Sequence, residues 1–328
     1  MIRSGARGAV PLPPAPMLAM AGQPPCGPEW VVEPKFDGAR CAARVGAGRV
    51  DLFSRHFTNL SASFPEVMKG CTALGRRGVI LDGEIIVLDD KGRPSFELLQ
   101  RRLRVARPPA SLTKRLAARL VVFDILYLDG QDLTGMAYRD RRAALQALGA
   151  DDLAIELATS PAWSDVDGAQ VLAAMVDAGM EGIVSKDVTS RYRVGRRTRQ
   201  WIKTPHRCSN HFLIGGYTLS RGSSASVGSV LVGAYDPGGV LAYCGRISVG
   251  LGQQARRDLH ARLSGLHQTV SPFGLIDHHG HDDGVLWVRP VVVGRIEYRE
   301  FVGGRLRHAA WKGVADVNAG DVCLALLG

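Results

Sequence analysis

One lysine in this chain lies where a strand-like apolar run ends and a turn begins. The segment VVEPKFDGAR places Lys35 after that run and follows it with Asp37, Gly38 and Arg40. A lysine amine attacks phosphorus only in its neutral form, and it needs a fixed position to do so. Glycine permits the tight turn that would hold the amine in place. KFDG is therefore a candidate nucleophile site, although taken alone it could equally be an exposed surface turn.

Carboxylates occur at the edges of two further strand-like segments. LDGEIIVLDD carries Asp82 and Glu84 on either side of a glycine, where carboxylates could meet a ribose hydroxyl or a metal ion. EGIVSKD places Glu181 five residues before Lys186, and on a regular strand this odd spacing would send the two side chains to opposite faces. A turn at Gly182 would restore convergence and make Glu181 a metal ligand and Lys186 a phosphate contact.

Two other positions add an aromatic face and a further amine. VVFDILYLDG places Phe123 in a buried strand, where its ring could stack on a nucleobase or pack in the core. RQWIKTP places Lys203 at the end of the last strand of this region. Lysine is rare in the chain, at seven of the 41 basic residues. Three of those seven lie beside acids or glycines at strand ends, which favours a role in chemistry over a role in solubility.

The charge indicates a polyanionic partner. The formal net charge is +10 at pH 7, which is typical of proteins that bind nucleic acid. The run RYRVGRRTR at 191–199 includes Arg196 and Arg199, and it could follow a phosphate backbone or form a solvated face. No helix-turn-helix, zinc-finger or RNP-like motif is present, so sequence-specific recognition is not expected.

Composition also bears on the cellular compartment. No apolar stretch approaches the roughly 20 residues of a membrane helix, and prolines interrupt the apolar N-terminal segment, which argues against a signal peptide. We therefore expect a cytoplasmic protein with no membrane partner. The six cysteines are scattered without a CxxC pair, so we expect reduced packing residues rather than disulfides or a zinc site.

The pattern of elements predicts an α+β protein, and 328 residues are enough for two domains. Residues 1–28 are rich in Pro, Gly and Ala and are predicted to form an extended arm, wrapped on a domain or partly disordered, with structure beginning near Trp30. Residues 29–205 combine strands with helices. Residues 206–328 change to short strands with glycine turns and one helix, which is typical of an OB-fold β-barrel.

The ordered motifs KxDGxR, DGE, FD, EGxVxK and WxK resemble the nucleotidyltransferase motifs of ATP-dependent DNA ligases. PMLA at 16–19, SRHFTNLSASFPEV and KGRPSFELLQRR are similar to the compact bacterial type, which includes ligase C and the ligase module of ligase D. The resemblance covers nearly the whole chain. It implies a nucleotidyltransferase (adenylation) domain followed by a C-terminal OB-fold β-barrel.

The family's reaction has three steps. Lys35 would attack the α-phosphate of ATP to form a lysyl-AMP phosphoramidate, AMP would pass to the 5′-phosphate at a nick in duplex DNA, and the 3′-hydroxyl would expel AMP. Mg²⁺ or Mn²⁺ would assist. The resemblance further implies a monomer that acts in bacterial DNA repair, nucleoid-associated when on DNA, with a repair polymerase or end-binding proteins as candidate partners.

The resemblance also assigns roles residue by residue. Glu181, with Asp37, would serve the metal ion. Arg55 matches an arginine that meets the nick phosphate, and we add Arg196 and Arg199 as DNA contacts. The nucleotide would be held by Glu33 beside the adenine, Arg40 and Glu84 at the ribose, Phe123 on the base, and Lys186 and Lys203 at the phosphates. In the second domain, the C-terminal motif would be represented by Arg307 and Lys312.

Three departures from the family pattern are present. Many relatives read SRxG where this chain has His56 and Phe57 after the arginine. Lys203 is followed by Thr-Pro instead of completing a KxK pair. The segment VADV after Lys312 lacks the arginine and lysine that often follow, which weakens the expected contribution of the second domain to adenylation.

Two other function classes remain open from the sequence. An RNA ligase or a GTP-dependent capping enzyme would use the same lysyl-nucleotide chemistry, but the segments similar to ligase D outside the core motifs argue against it. A catalytically silent nucleic-acid-binding module would not need the intact set of Lys35, Glu181, Lys186 and Lys203.

Overall fold

A computed structural model describes residues 9–75, 77–274 and 284–326. The chain divides into two units, Met1–His206 and Arg207–Gly328. Both combine helices with antiparallel sheet, so the predicted α+β class is confirmed. Within the described ranges no helix is both long and apolar enough to cross a membrane. All six cysteines are free; Cys41, Cys71 and Cys244 are buried as packing residues, whereas Cys26 is exposed.

The first unit contains two sheets. Their strands are β1 (Leu18–Ala21), β2 (Trp30–Lys35), β3 (Ala39–Gly46), β4 (Arg49–Ser54), β5 (Val79–Val87), β6 (Ala118–Leu128), β7 (Gln131–Asp132), β8 (Leu157–Thr159), β9 (Trp163–Ser164), β10 (Gly182–Asp187) and β11 (Arg197–Pro205). The first sheet has the order β1-β11-β10-β2-β9. The second has the order β4-β3-β5-β6-β7, with β8 paired to β6.

Helices cover the apolar face of the second sheet. They are α1 (Pro65–Thr72), α2 (Phe96–Leu103), α3 (Ala110–Arg115), α4 (Tyr138–Ala147) and α5 (Ala150–Leu153), whereas α6 (Gly168–Asp177) packs against β10 and β2 of the first sheet. Val67 of α1, Leu99 of α2 and Leu145 of α4 join Leu81 and Leu120 of the sheet in one buried core. Burial of such side chains supplies most of the free energy that holds helix to sheet.

The KFDG turn carries the chain from one sheet to the other. β2 belongs to the first sheet and ends at Lys35, as predicted, whereas β3 begins at Ala39 in the second sheet. A Cβ atom at Gly38 would lie 2.3 Å from the carbonyl oxygen of Ile85. Only glycine permits this close approach of the two backbones. The candidate nucleophile therefore lies where the two sheets meet.

The N-terminal segment is part of the first sheet. β1 pairs in parallel with β11, and Met17 is fully buried with its backbone N–H donated to the Tyr192 hydroxyl at 3.1 Å. The prediction that structure begins near Trp30 is wrong, because the backbone of β1 finds hydrogen-bond partners along β11, which is far away in sequence. Composition cannot reveal so distant a partner. Residues 1–8 of the predicted arm lie outside the described ranges.

The second unit is built on an antiparallel sheet. Its strands are β12 (Cys208–Leu219), β13 (Val227–Tyr235), β14 (Leu241–Ile247), β15 (Val285–Trp287), β16 (Val293–Tyr298), β17 (Glu300–Val302), β18 (Arg305–Arg307) and β19 (Ala310–Ala315), and its helix is α7 (Gln253–Leu263). The main order is β14-β13-β12-β16-β19. The long strands β12 and β13 contain register shifts, which are sites of strong bending in small barrels. The OB-fold fits this arrangement.

Candidate active site

A cleft of about 410 Å³ in the first unit is lined by strands of both sheets. Its volume lies within the range of about 300–1,000 Å³ that is usual for small-ligand sites. β2, β10 and β11 contribute from the first sheet, and β3, β5 and β6 from the second. The predicted site residues that line this cleft are Glu33, Lys35, Arg40, Arg55, Glu84, Phe123, Lys186 and Lys203.

Lys35 forms an ion pair with Glu181 at the cleft. The Lys35 Nζ atom contacts the Glu181 Oε2 atom, and the two side chains are 22% and 9% exposed. Gly182 lies opposite Lys35 in the pairing of β10 with β2 and has a φ of +142°. A Cβ atom there would lie 2.3 Å from the Thr204 carbonyl oxygen. Glycine therefore permits the close strand approach that places Glu181 against the nucleophile.

Lys186 lies deeper and has a different partner. Its Nζ atom is 2.7 Å from the Glu33 Oε1 atom, both side chains are 2% exposed, and it donates a hydrogen bond to the Phe123 carbonyl oxygen at 3.1 Å. The Tyr138 hydroxyl also donates to Glu33. Burial lowers the pKa of Lys186, although the charge of Glu33 opposes this effect. The expected convergence of Glu181 with Lys186 does not take the form of a shared contact, since each pairs with a separate residue of β2.

Aromatic rings surround the Lys186 amine. The Nζ atom lies 4.7 Å from the centroid of the Phe123 ring and 4.5 Å from that of Trp201. Phe123 and Trp201 meet edge to face with centroids 6.2 Å apart. Cations are attracted to such ring faces. Phe123 is partly exposed and lines the cleft, so part of its ring surface is available to a ligand.

Arg40 is held by a bidentate pair with Asp82. Its Nε and Nη2 atoms lie 2.9 Å and 2.6 Å from the two carboxylate oxygens, and the Tyr192 hydroxyl donates to Asp82 at 2.5 Å. Asp82 is only 2% exposed. Its carboxylate is therefore used to orient Arg40, instead of meeting a ribose or a metal ion as the sequence suggested.

Glu84 differs from its neighbouring acid. It lies opposite Arg40 in the β3–β5 pairing and lines the cleft. Burial raises the pKa of Glu84 to about 8, although the charges of Arg40 and Lys35 oppose the shift. The carboxyl group consequently holds a proton at neutral pH and can donate a hydrogen bond.

Arg55 lies at the rim of the cleft, and Asp37, Arg196 and Arg199 are not among its lining residues. Arg55 lines the cleft from the turn after β4 and is exposed. Arg196 and Arg199 are also exposed, around the start of β11. Asp37 lies in the turn after β2 and is half-buried. In the described residues, no group of three or more His, Cys, Asp or Glu side chains forms a metal cluster.

The two site residues predicted in the second unit lie on strands that are consecutive in the sequence, β18 and β19. Arg307 ends β18 and is exposed. Lys312 lies on β19 and forms an ion pair with Glu297 at 2.7 Å. Each unit is folded around its own core.

Sequence reasoning missed the residues that support the site. Tyr138 and Tyr192 donate hydrogen bonds to the carboxylates of Glu33 and Asp82, and Trp201 packs against the Lys186 amine and the Phe123 ring. Tyr192 is an aromatic residue inside the arginine-rich run 191–199, and this was the signal available in the sequence. The structure buries Tyr192 and leaves the arginines on either side of it exposed. The two tyrosines lie 105 and 110 residues from their partners, so spacing alone could not show the contacts. A second group that was missed is the buried pair of Asp124 and Arg141.

Comparison with known proteins gives one family. Residues 16–204 match the family model described as ATP dependent DNA ligase domain, and residues 223–317 match that described as ATP dependent DNA ligase C terminal region. The multifunctional non-homologous end joining DNA repair protein LigD of Mycobacterium tuberculosis is 36% identical over 305 residues, which are 92% of this chain and 38% of LigD. The chain thus spans under two fifths of that relative.

In two further matches the similarity extends over most of this chain and most of the matched protein. DNA ligase C of Mycobacterium tuberculosis is 31% identical over 323 residues, which are 91% of this chain and 88% of that protein. The crystal structure of the ligase domain of M. tuberculosis LigD matches at 34% identity with a TM-score of 0.54, and the match covers 94% of this chain and 97% of that domain. The motif residues of the cleft, the two family models and these matches agree, and the chain belongs to the family of ATP-dependent DNA ligases.

Proposed function

We propose that this chain is an ATP-dependent DNA ligase that seals nicks between a 5′-phosphate and a 3′-hydroxyl in duplex DNA. One observation carries the proposal: Lys35 lies at a cleft of nucleotide size, in contact with a carboxylate, with seven other residues of the ligase motifs on the same lining. This arrangement suits a covalent lysyl-AMP intermediate.

In the first step, the residues of the cleft transfer AMP from ATP to Lys35. The Lys35 nitrogen forms a bond to the α-phosphorus of ATP, and the bond from that phosphorus to the bridging oxygen breaks, so pyrophosphate leaves with the electron pair. The Lys35 ammonium first passes one proton to Glu181, whose carboxylate already contacts Nζ, and becomes the neutral amine that attacks. The second proton leaves the nitrogen for solvent once the bond to phosphorus has formed. Lys186 and Lys203 offset the negative charge that develops on the phosphate oxygens. AMP then passes to the 5′-phosphate of the nick, and the 3′-hydroxyl displaces it.

The base and ribose would lie against the deeper wall. Phe123 offers the stacking surface, and Arg40, fixed by Asp82, lies within 5.1 Å of the centroid of that ring. Glu84, protonated at neutral pH because its pKa is raised to about 8, donates to a ribose oxygen. Glu33 lines the same wall, and its Oε1 atom accepts hydrogen bonds from Tyr138 and Lys186, so it contributes by holding Lys186 in place.

Glu181 and Asp37 fit a magnesium or manganese ion in the chemistry of their donor atoms. Both present carboxylate oxygens, and Mg²⁺ in phosphate-transfer sites is usually held by one or two carboxylates together with substrate phosphates. When bound, such an ion would neutralise phosphate charge. The side chains named here supply the amine, the proton acceptor and the fixed cations.

The charge of the chain and its relatives support the proposed substrate and setting. Arg55 at the cleft rim, with the exposed Arg196 and Arg199, would bind DNA phosphates without reading sequence. Arg307 and Lys312 of the OB-fold unit would contribute to adenylation. We expect a monomer in the bacterial cytoplasm, associated with the nucleoid when on DNA. Because LigD is named for non-homologous end joining, end-binding proteins and a repair polymerase are the expected partners.

Covalent labelling tests the proposal directly. The chain is incubated with ATP or GTP labelled at the α-phosphate and then denatured and separated by electrophoresis. We expect label from ATP alone, lost in Lys35→Ala and retained in Lys114→Ala, which changes an exposed lysine of α3. Label from GTP would favour a capping-type enzyme, and the absence of any label would refute the proposal. Sealing of DNA nicks compared with RNA nicks then distinguishes a DNA ligase from an RNA ligase.

A further inference from the structure

Phe57 is an exposed aromatic residue in a conformation that it would not adopt by preference. Its side chain is 51% exposed, and it is the only aromatic among the large apolar side chains that are exposed in the described residues. Its φ is +63°, a region that bulky L-residues seldom occupy. Residues held in this way are concentrated at binding sites, because the surrounding structure must maintain them.

The turn that presents Phe57 is fixed by hydrogen bonds. The Phe57 N–H donates to the Ser54 carbonyl oxygen at 2.9 Å, and the Ser54 N–H donates to the Thr58 carbonyl oxygen at 2.9 Å. The Ser54 hydroxyl oxygen accepts from the N–H groups of His56 and Thr58. These bonds use only backbone groups and Ser54, so the turn itself does not need an aromatic ring. The ring is therefore available to a ligand.

The neighbourhood of Phe57 identifies the ligand class. Arg55, two residues earlier in the same turn, lines the cleft that holds Lys35. Arg55 and Phe57 also line a small recess beside the cleft together with Pro14 and Pro16. A cation beside an exposed ring matches a nucleotide, because the phosphate binds the cation and the base stacks on the ring.

We propose that Phe57 is a nick-recognition residue whose ring stacks on the base beside the 5′-phosphate that Arg55 binds. The inference rests on the proposed ligase function. A continuous duplex offers no open base face to such a ring, whereas at a nick the break lets the neighbouring step unstack at lower cost. Phe57 would thus supply discrimination for broken DNA that the arginines alone cannot provide, since they bind phosphates in either substrate.

Binding by the full chain at one fixed salt concentration tests this role. The variants are Phe57→Gly, which suits the positive φ, together with Phe57→Leu and Phe57→Tyr. The control is Ile155→Ala, which removes a 71% exposed apolar side chain elsewhere in the first unit. Each variant is first labelled with ATP, because a normal AMP label reports an intact cleft and an active ligase.

We expect Phe57→Gly and Phe57→Leu to lose about 5- to 150-fold in affinity for nicked duplex, the range for one base–aromatic stack. Affinity for intact duplex should not change, and Phe57→Tyr and Ile155→Ala should bind the nick as the parent does. The fluorescence of a 2-aminopurine base on the 5′-phosphate side, which reports its stacking, should change on binding the parent but not on binding Phe57→Gly.

Other results would overturn the inference in recognisable ways. Unchanged nick affinity in Phe57→Gly, equal loss on nicked and intact duplex, or full retention by Phe57→Leu would each exclude stacking at the break. In all three cases a normal AMP label would leave the ligase proposal intact. A parent chain that takes no label from ATP would instead refute the ligase proposal itself.

Discussion

Replacing Glu33 by glutamine should destabilise the first unit far more than the same change at an exposed ion pair. Glu33 and Lys186 are each 2% exposed and their charged atoms lie 2.7 Å apart. Glutamine keeps an oxygen for the Tyr138 hydroxyl but removes the charge that opposes the lowering of the Lys186 pKa. Loss of one partner from a buried pair costs about 3–5 kcal/mol. Because the amide retains a hydrogen bond, we expect a cost at the lower end of that range, about 3 kcal/mol, for Glu33→Gln.

Glu97→Gln is the matched control. Glu97 pairs with Arg101 on α2 at 3.0 Å, a similar distance, but the side chains are 48% and 61% exposed. Such a pair contributes about 0.3–0.5 kcal/mol. The free energy of unfolding is measured in urea by hydrogen exchange of peptides from β10 for Glu33→Gln and from α2 for Glu97→Gln, so that the second unit does not contribute.

The double variant Glu33→Gln/Lys186→Met separates stability from activity. It leaves no unpaired charge, so its loss of stability should be at least about 2 kcal/mol smaller than the sum of the two single losses. It should still fail to take AMP from ATP, because the cation that faces the phosphates is gone. Additive losses in the cycle, or equal losses at Glu33 and Glu97, would refute the assignment of this pair as a buried, coupled unit.

The same geometry makes three further predictions. Because the pKa of Glu84 is raised from its ordinary value of 4.5 to about 8, the folded state binds an extra proton between those values, so stability should fall as pH rises from 4.5 through 8; urea titrations at several pH values should show a weaker fall in Glu84→Gln. Glu181→Ala should lose metal-dependent AMP labelling by several orders of magnitude while its nick affinity in a gel-shift assay changes little, and equal losses in both would contradict its role at the nucleotide. Replacing Arg196 and Arg199 together by alanine should reduce the slope of log affinity against log salt by about 1.8, or about 0.9 for each phosphate that is no longer neutralised, and an unchanged slope would place both residues away from the DNA.

The sequence was sufficient to predict the main chemistry of this chain. A strand that ends at Lys35, a turn with Gly38 and acids beside Glu84 are local patterns, and local patterns survive without knowledge of the fold. The two-unit organisation and the OB-fold were also accessible, because the change from mixed helices and strands to short strands with glycine turns is visible in composition. The resemblance to ATP-dependent DNA ligases then assigned roles that no single motif could carry.

Partner choice within the cleft could not be predicted from the sequence. Glu181 and Lys186 lie five residues apart, yet Glu181 contacts Lys35 and Lys186 contacts Glu33, because the register of β10 against β2 sets which side chains face each other. Asp82 resembled Glu84 in its motif, but the fold buries Asp82 under Arg40 and Tyr192. Contacts of this kind join residues that are far apart in the chain, and no local rule specifies them.

The N-terminal segment shows the same division between local pattern and tertiary structure. Its prolines indicate an extended chain, and the sequence determined that much. Only the fold provides the edge of β11 on which β1 pairs and the space in which Met17 is buried. Phe57 is a second case, since the sequence showed it only as a departure from the SRxG pattern, and it becomes a candidate contact when the turn places it exposed, at positive φ, beside Arg55. The residue types determined which chemistry is possible, and the tertiary structure decided which side chains meet, because burial and strand register depend on the whole chain.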